Sequence, residues 1–494
     1  MSAFRIILLL AVAVQTPANA RHLVKTSPVK TTIEWQPCSS TPFRHWFNDV
    51  PPPASLQCGY VEAPLNYQKT AKQATHSVRL ALTRLPAIGP RKGSVVIIQG
   101  GPGRPGINPQ LAEKEAALKL QKSYDIIGYD PRGVGQSIPK ISCQQTGSEE
   151  TLLPDENDIS GIEQQARNIV DACIKQTGAE VVQHIGTHEA VNDLDTIRQA
   201  LGERELTAVA YSYGTKVAEL YAERFPKKTR ALVLDGVVDL SDDYFTQRIN
   251  QQRGLQQSFT HFSDYCEKNH SCQLSRESNK SVQTYHAMLR KLHSAPFVTQ
   301  SGYEISSEDV VTLTRNLLPW RERWPELANA LRKIDSGTAD DQETGLIDEN
   351  YSPYTDDARM VITCSDTARP NADRQMLRRQ SQQINTAASF PNYLLLHEYP
   401  LDTCDFWPYP GKDKPHVPVP AAALPPLLFV AQRYDPITPY RNARQMSAAF
   451  NSPLITREGD GHTLALTGIN RCVDEAVVNY LLMPKKSRHD RSCR

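Results

Sequence analysis

Residues Glu205 to Pro226 read ELTAVAYSYGTKVAELYAERFP. A short apolar strand, Leu206 to Ala210, runs through Ser212 into an amphipathic helix that starts near Gly214. A serine exposed on so sharp a strand-to-helix turn needs small residues two before and two after it, because larger side chains would collide with neighbouring backbone. Ala210 and Gly214 meet that demand, although Ala210 stands where glycine is the commoner choice. The plainer alternative is that Ser212 only caps the helix. Residues elsewhere in the chain must decide between the two.

The chain has 494 residues, enough for one large domain with an insertion or for two domains. Its 55 basic and 54 acidic residues nearly cancel. That balance offers nothing to nucleic acid or to an anionic membrane, and a small molecule or peptide is the expected ligand. Arg5, the apolar run Ile6 to Val14 and Ala18-Asn19-Ala20 have the layout of a cleavable signal peptide over residues 1–20. The run is too short to remain as a membrane anchor, and Arg21 is not the cysteine of a lipoprotein. A periplasmic or secreted protein is expected, and ten cysteines suit an oxidising compartment.

Further strands are expected after Cys58, over Ser77 to Leu85, over Gly93 to Gln99 and over Tyr124 to Tyr129. The third empties into Gly100-Gly101-Pro102-Gly103 and the fourth into Asp130-Pro131-Arg132-Gly133. Helices are expected from Asn108 to Lys122, from a capping box at Ser160 and Glu163 to Gly178, and from Thr187 to Gly202. After the serine helix, Ala231 to Val237 is another strand. Strands alternating with helices imply a mostly parallel sheet with helices on both faces. Between residues 240 and 419 the alternation gives way to helical segments and an acidic loop, Gly337 to Asp357. It resumes with strand Leu427 to Gln432, a helix from Pro439, strand Pro453 to Thr456 and a last helix through Cys472. The expected organisation is a core over 21–239, a large helical cap inserted over 240–419, and the rest of the core over 420–494. Such caps cover the C-terminal edge of the sheet, where ligands bind.

In that frame two more residues fall at strand ends, Asp435 in RYDPITP and His462 in EGDGHT. The chain order serine, acid, histidine is that of a nucleophile, an orienting acid and a general base. Asp before Pro is also an ordinary turn residue, and a histidine between glycine and threonine is often only part of a loop. Occurring together, in order, after the right strands, the three point to acyl transfer. An oxyanion hole needs two backbone N–H groups. Tyr213 supplies one and, because Pro102 has none, Gly101 the other.

Gly101, Gly103 and Gly106 also spell G-x-G-x-x-G, but Pro102 and Pro105 remove donors that a pyrophosphate would need. His188-Glu189 lacks the second histidine of a zinc-peptidase motif, and no cysteines stand in a C-x-x-C pair. No cofactor and no metal is expected.

The set QGGPG (99–103), GYDPRGVGQS (128–137), AYSYGTKVAELYAERFP (210–226), RYDPITP (433–439) and EGDGHT (458–463) resembles the secreted tripeptidyl-aminopeptidase and proline-iminopeptidase branch of the α/β-hydrolases. The resemblance covers nearly all of the chain beyond the signal peptide, including a tripeptidyl-aminopeptidase-like C-terminal part. It implies an α/β-hydrolase fold and a serine exopeptidase acting on peptides with a free N-terminus; the balanced charge and the lack of a later long apolar run leave no nucleic-acid partner and no stable membrane insertion to expect. A carboxylic-ester hydrolase with the same triad is the alternative. It also implies pairing of neighbouring cysteines: Cys38 with Cys58, Cys143 with Cys173, Cys266 with Cys272, Cys364 with Cys404 and Cys472 with Cys493. Gln99 stands where many relatives have histidine. An exopeptidase further needs a carboxylate for the substrate ammonium. Asp366 is one of many cap carboxylates that could serve, a solvated side chain being the plainer reading.

Overall fold

The computed structural model describes residues 32–47, 51–69, 76–107, 114–143, 158–348, 353–394, 398–486 and 489–494, with a two-residue strand at 24–25. The expected signal peptide lies outside them, as does the start of the helix expected from Asn108. The described part of that helix is Glu115–Gln121.

The apolar runs form one twisted sheet. Its main strands are β1 (Gln57–Pro64), β2 (His76–Leu85), β3 (Gly93–Ile98), β4 (Tyr124–Tyr129), β5 (Leu206–Tyr211), β6 (Thr229–Asp235), β7 (Leu428–Tyr434), β8 (Leu454–Asp460) and β9 (Arg491–Cys493). They lie in the order β9-β8-β7-β6-β5-β3-β4-β2-β1. From β9 to β4 all neighbours are parallel; β2 is antiparallel to β4 and to β1. The central strands are buried on both faces, which is why they read as unbroken apolar runs. Val96 and Ile98 join the core on one face with Val191, Leu194, Val217 and Tyr221 from helices Thr187–Ala200 and Tyr213–Arg224. Val95 and Ile97 join the other with Leu120, Val473 and Val477 from helices Glu115–Gln121 and Arg471–Leu482. This is the expected α/β architecture with helices on both faces.

Between β6 and β7 the chain is mainly helical. Helices Tyr244–Asn269, Ser278–Ser294, Ser307–Leu317 and Trp324–Asp335 close around their own core, with Phe259, Phe262, Tyr285, Leu313 and Trp324 at its centre. A two-stranded ribbon, Phe297–Val298 with Glu304–Ile305, interrupts them. Helix Pro353–Thr367 behaves differently: Ala358, Val361, Ile362 and Cys364 pack into the sheet core.

Two local expectations are corrected. The acidic stretch 337–357 is not simply a loop, because Asp341–Asp348 and the segment from Pro353 are helical. Helix Ile159–Thr177 is capped by Asp158, whose side chain accepts from the Gly161 amide, so no capping box forms at Ser160. Glu163 is instead buried, pairing with Arg378 and accepting the Leu401 amide. The C-terminal tail adds β9 beside β8, too short a strand for periodicity to reveal. All five expected disulfides are present, and Cys472–Cys493 ties that tail to the last helix. No helix of the described residues is long and apolar enough to cross a membrane.

Candidate active site

β5 ends at Tyr211, and Ser212 then takes φ 53° and ψ −125° before the helix begins at Tyr213. A positive φ at a non-glycine residue costs of order 1–3 kcal/mol and persists only where the surroundings impose it. They do so here. The Ser212 amide donates to the Asp235 carbonyl at 2.8 Å, and the Ser212 carbonyl accepts the Thr215 hydroxyl at 2.7 Å. That hydroxyl oxygen in turn accepts the Val238 amide at 2.9 Å. A Cβ on Gly214 would stand 2.6 Å from the Ile98 carbonyl oxygen and 2.7 Å from that of Gln99, so only glycine fits. Ala210 points its methyl into the sheet core, where it is fully buried. The Ser212 side chain makes no capping hydrogen bond, which removes the helix-cap reading.

β7 and β8 carry the other two residues. His462 Nδ1 lies 2.8 and 3.0 Å from the carboxylate oxygens of Asp435, and both side chains are buried. Asp435 also accepts the Ile437 and Thr438 amides, each at 2.9 Å, and the Thr438 hydroxyl at 3.1 Å. The carboxylate is therefore fixed by its own loop as well as by the imidazole. Between the serine and the histidine stands Gly236, at φ 69°, where a Cβ would come within 2.9 Å of His462 Cε1. Because β5, β6, β7 and β8 are consecutive in the sheet, all three side chains emerge at one edge. Among the described residues the Ser212 hydroxyl is not hydrogen-bonded to the imidazole. Hydrogen bonds within candidate sites are often long in the unliganded state and tighten only with a ligand bound.

β3 neighbours β5, and its glycine loop lies against the serine: a Cβ on Gly100 would be 2.7 Å from Ser212 Cβ. Gly101, next along, has φ 110°. Among the described residues neither the Gly101 amide nor the Tyr213 amide has an acceptor, and the latter is one of the unpaired donors of a helix N-terminus.

Two buried groups that the motifs contain, but that sequence reasoning left without a role, hold this arrangement. Asp130 accepts the amides of Gly106, Ile107 and Gln136 at 2.9, 3.0 and 2.8 Å, fastening the far end of the glycine loop. Burial pushes its carboxyl up to about 6. Lys216, on the helix after the serine, pairs with Asp366 at 3.4 Å and also with Asp413. Asp366 is buried, accepts the Thr187 amide at 2.8 Å and is bonded to the Thr187 hydroxyl, which meets the Tyr213 hydroxyl at 2.6 Å. It is neither solvated nor free for a substrate ammonium. The only sign in the sequence was a lysine on the buried face of an amphipathic helix.

The cap reaches the same rim. His261, on helix Tyr244–Asn269, bonds Asp460 Oδ1 at 2.5 Å, two residues before His462. Among the described residues no group of three or more His, Cys, Asp or Glu is arranged to hold a metal.

Residues 93–469 match the family model described as alpha/beta hydrolase fold. YuaR of Escherichia coli K12, which carries a hydrolase name, is 45% identical over 92% of this chain and 91% of its own. Two Mycobacterium tuberculosis H37Rv proteins align over 91% of this chain: the serine protease Hip1, 32% identical over 88% of its length, and carboxylesterase B, 31% identical over 87%. The tripeptidyl aminopeptidase of Streptomyces lividans is 27% identical over 96% of this chain and 89% of its own. By sheet order, strained serine turn and sequence match alike, the chain belongs to the α/β-hydrolase fold family.

Proposed function

We propose that this protein is a secreted serine exopeptidase of the aminopeptidase type, releasing short peptides or single residues from free N-termini through an acyl-enzyme. The observation that carries the reading is the buried His462–Asp435 pair, set at the same sheet edge as the strained Ser212. Ser212 Oγ attacks the scissile carbonyl while His462 takes its proton, and Asp435 holds the imidazole in the tautomer that can accept it. The Gly101 and Tyr213 amides receive the oxyanion. His462 then gives the proton to the leaving amine, the C–N bond breaks, and water repeats the sequence to free the acyl group and restore Ser212. Every step uses groups of this chain and needs no cofactor. The peptidase names of Hip1 and of the Streptomyces enzyme support the assignment, and the glycine-proline loop beside Ser212 agrees with it. The substrate ammonium is bound by a cap group other than Asp366, which Lys216 already occupies.

The carboxylesterase name of one relative favours a second reading, ester hydrolysis by the same three residues. Purified protein and its Ser212→Ala variant should be assayed on Ala-Ala-Pro-p-nitroanilide, on the N-acetylated form and on p-nitrophenyl butyrate. Cleavage confined to the free-amine peptide, and lost in Ser212→Ala, is the expected result. Equal cleavage of the blocked peptide would remove the exopeptidase claim, and ester-only activity would favour the second reading.

A further inference from the structure

One aromatic side chain of the cap reaches the catalytic imidazole. The Trp320 ring centroid lies 6.1 Å from that of His462, with the planes tilted by 58°. Trp320 follows helix Ser307–Leu317 and is held in a turn: its amide donates to the Leu317 carbonyl at 3.0 Å, and its carbonyl accepts the Arg323 amide at 2.9 Å. Its side chain is half-buried. Core groups cover two other parts of the ring. Asp435 and Thr438 cover Nδ1, and Gly236 lies against Cε1. The indole is thus the cap's contribution next to the proton carrier.

The chemistry says which part of a substrate passes there. In acylation the imidazolium must hand its proton to the departing nitrogen or oxygen, which brings the leaving group within hydrogen-bond reach of Nε2. The acyl side is anchored differently, by Ser212 and the oxyanion amides. A side chain on the first residue of the leaving group therefore projects beside whatever packs on the imidazole. Here that surface is a flat apolar ring, which gains by burying an apolar or ring-bearing partner. We propose that Trp320 is a specificity-determining residue that walls the leaving-group side of the site and favours substrates with an apolar or ring-bearing group immediately after the scissile bond. The inference rests on the assignment of Ser212 and His462 above and extends it to substrate class.

A pair of peptides with one acyl part and two leaving parts, Ala-Ala-Pro-Leu-amide and Ala-Ala-Pro-Gly-amide, tests it with wild type, Trp320→Ala and Trp320→Phe. Wild type should prefer the leucine peptide in kcat/KM by about tenfold, the size of effect an apolar contact supplies. Trp320→Ala should erase that preference and Trp320→Phe retain most of it. Both peptides give the same acyl-enzyme, so the deacylation rate, read from the phase after the burst, should stay within about twofold of wild type in every variant. A Trp320→Ala variant that slows both peptides equally, or slows deacylation as much as acylation, would overturn the proposal, because a residue that merely steadies His462 acts on both half-reactions. Benzyl and methyl butyrate, whose alcohols are nearly equal in acidity, make the parallel comparison for an ester hydrolase. Wild type active only on the esters refutes the peptidase reading, while loss of the benzyl preference in Trp320→Ala still upholds the leaving-group wall. Wild type inert to both classes overturns both.

Discussion

Asp235 holds Ser212 and the segment after His462 at once. Its carbonyl accepts the Ser212 amide at 2.8 Å, and its carboxylate Oδ2 accepts the Leu464 and Ala465 amides at 2.6 and 2.7 Å. The last residue of β6 thereby sets the spacing between the Ser212 turn and the His462 loop on either side of it. Its other carboxylate oxygen is buried and has no hydrogen-bond partner among the described residues.

That environment has a pH signature. Burial raises the Asp235 carboxyl to about 7, against which the two amides pull only partly. In the unfolded chain an aspartate titrates at ~3.9, so between about pH 4 and 7 the folded state binds the extra proton. Stability must then fall as pH rises through that window. Asp235→Asn cannot titrate, and its unfolding free energy measured in urea should gain on wild type steadily from pH 4.5 to 7.5. A difference that stays flat with pH would contradict the assignment.

Lys216 is the cation of a buried cluster under the helix that follows Ser212. With Asp366 and Asp413 both committed to it, Lys216→Met leaves the buried Asp366 and the half-buried Asp413 without that counter-charge. Removing one partner of a buried pair costs about 3–5 kcal/mol. The same loss should appear in denaturant unfolding of Lys216→Met. Adding Asp413→Asn should recover part of it, whereas adding the exposed change Glu115→Gln should recover none.

The strands, the serine turn and the order of the three polar residues were legible in the chain because each has a local cause. β3 and β4 are fully buried runs, and the small residue at Gly214 sits at a fixed spacing from Ser212, although the atoms that demand it are the Ile98 and Gln99 carbonyls of the neighbouring strand. What stayed hidden depends on contacts distant in sequence. Asp130 reads as a turn residue in DPRG, and only the fold brings the Gly106 and Ile107 amides to it. Asp366 looks like any surface carboxylate until Thr187 and Lys216 are seen beside it. Glu163 matched a capping box by spacing alone, while the actual cap, Asp158, lies two residues before Ser160. Trp320 carries no motif at all, since its meaning comes from the ring it faces.

Loop length separates the disulfides. Cys364–Cys404 closes a span of 40 residues and joins helix Pro353–Thr367 to the turn at Thr403–Phe406, whereas Cys266–Cys272 closes only 6. In the chain-entropy model, stabilisation grows with the logarithm of the closed loop, and the longer one should contribute ~1.7 kcal/mol more. Replacing each pair by alanines should therefore lower the urea midpoint further for Cys364 and Cys404. The reverse ranking would mean that native-state packing, rather than the unfolded chain, governs the effect.

Asp435→Asn separates orientation of the imidazole from assembly of the site. The asparagine carbonyl can still accept the Ile437 and Thr438 amides that Asp435 Oδ1 accepts, so folding should change little. Its NH2 group, however, would face His462 Nδ1 where a carboxylate oxygen now lies at 2.8 Å. Two donors cannot share that contact, and the neutral ring answers by carrying its proton on Nε2. In that tautomer the imidazole has no lone pair for the Ser212 proton. Loss of kcat by about 10⁴, the scale known for this exchange in serine peptidases, is expected with KM little altered. Thermal unfolding should stay close to that of wild type. A variant that keeps most of its turnover would show that Asp435 does not set the tautomer, and one that unfolds early would show that its hydrogen bonds to the loop matter more than its charge.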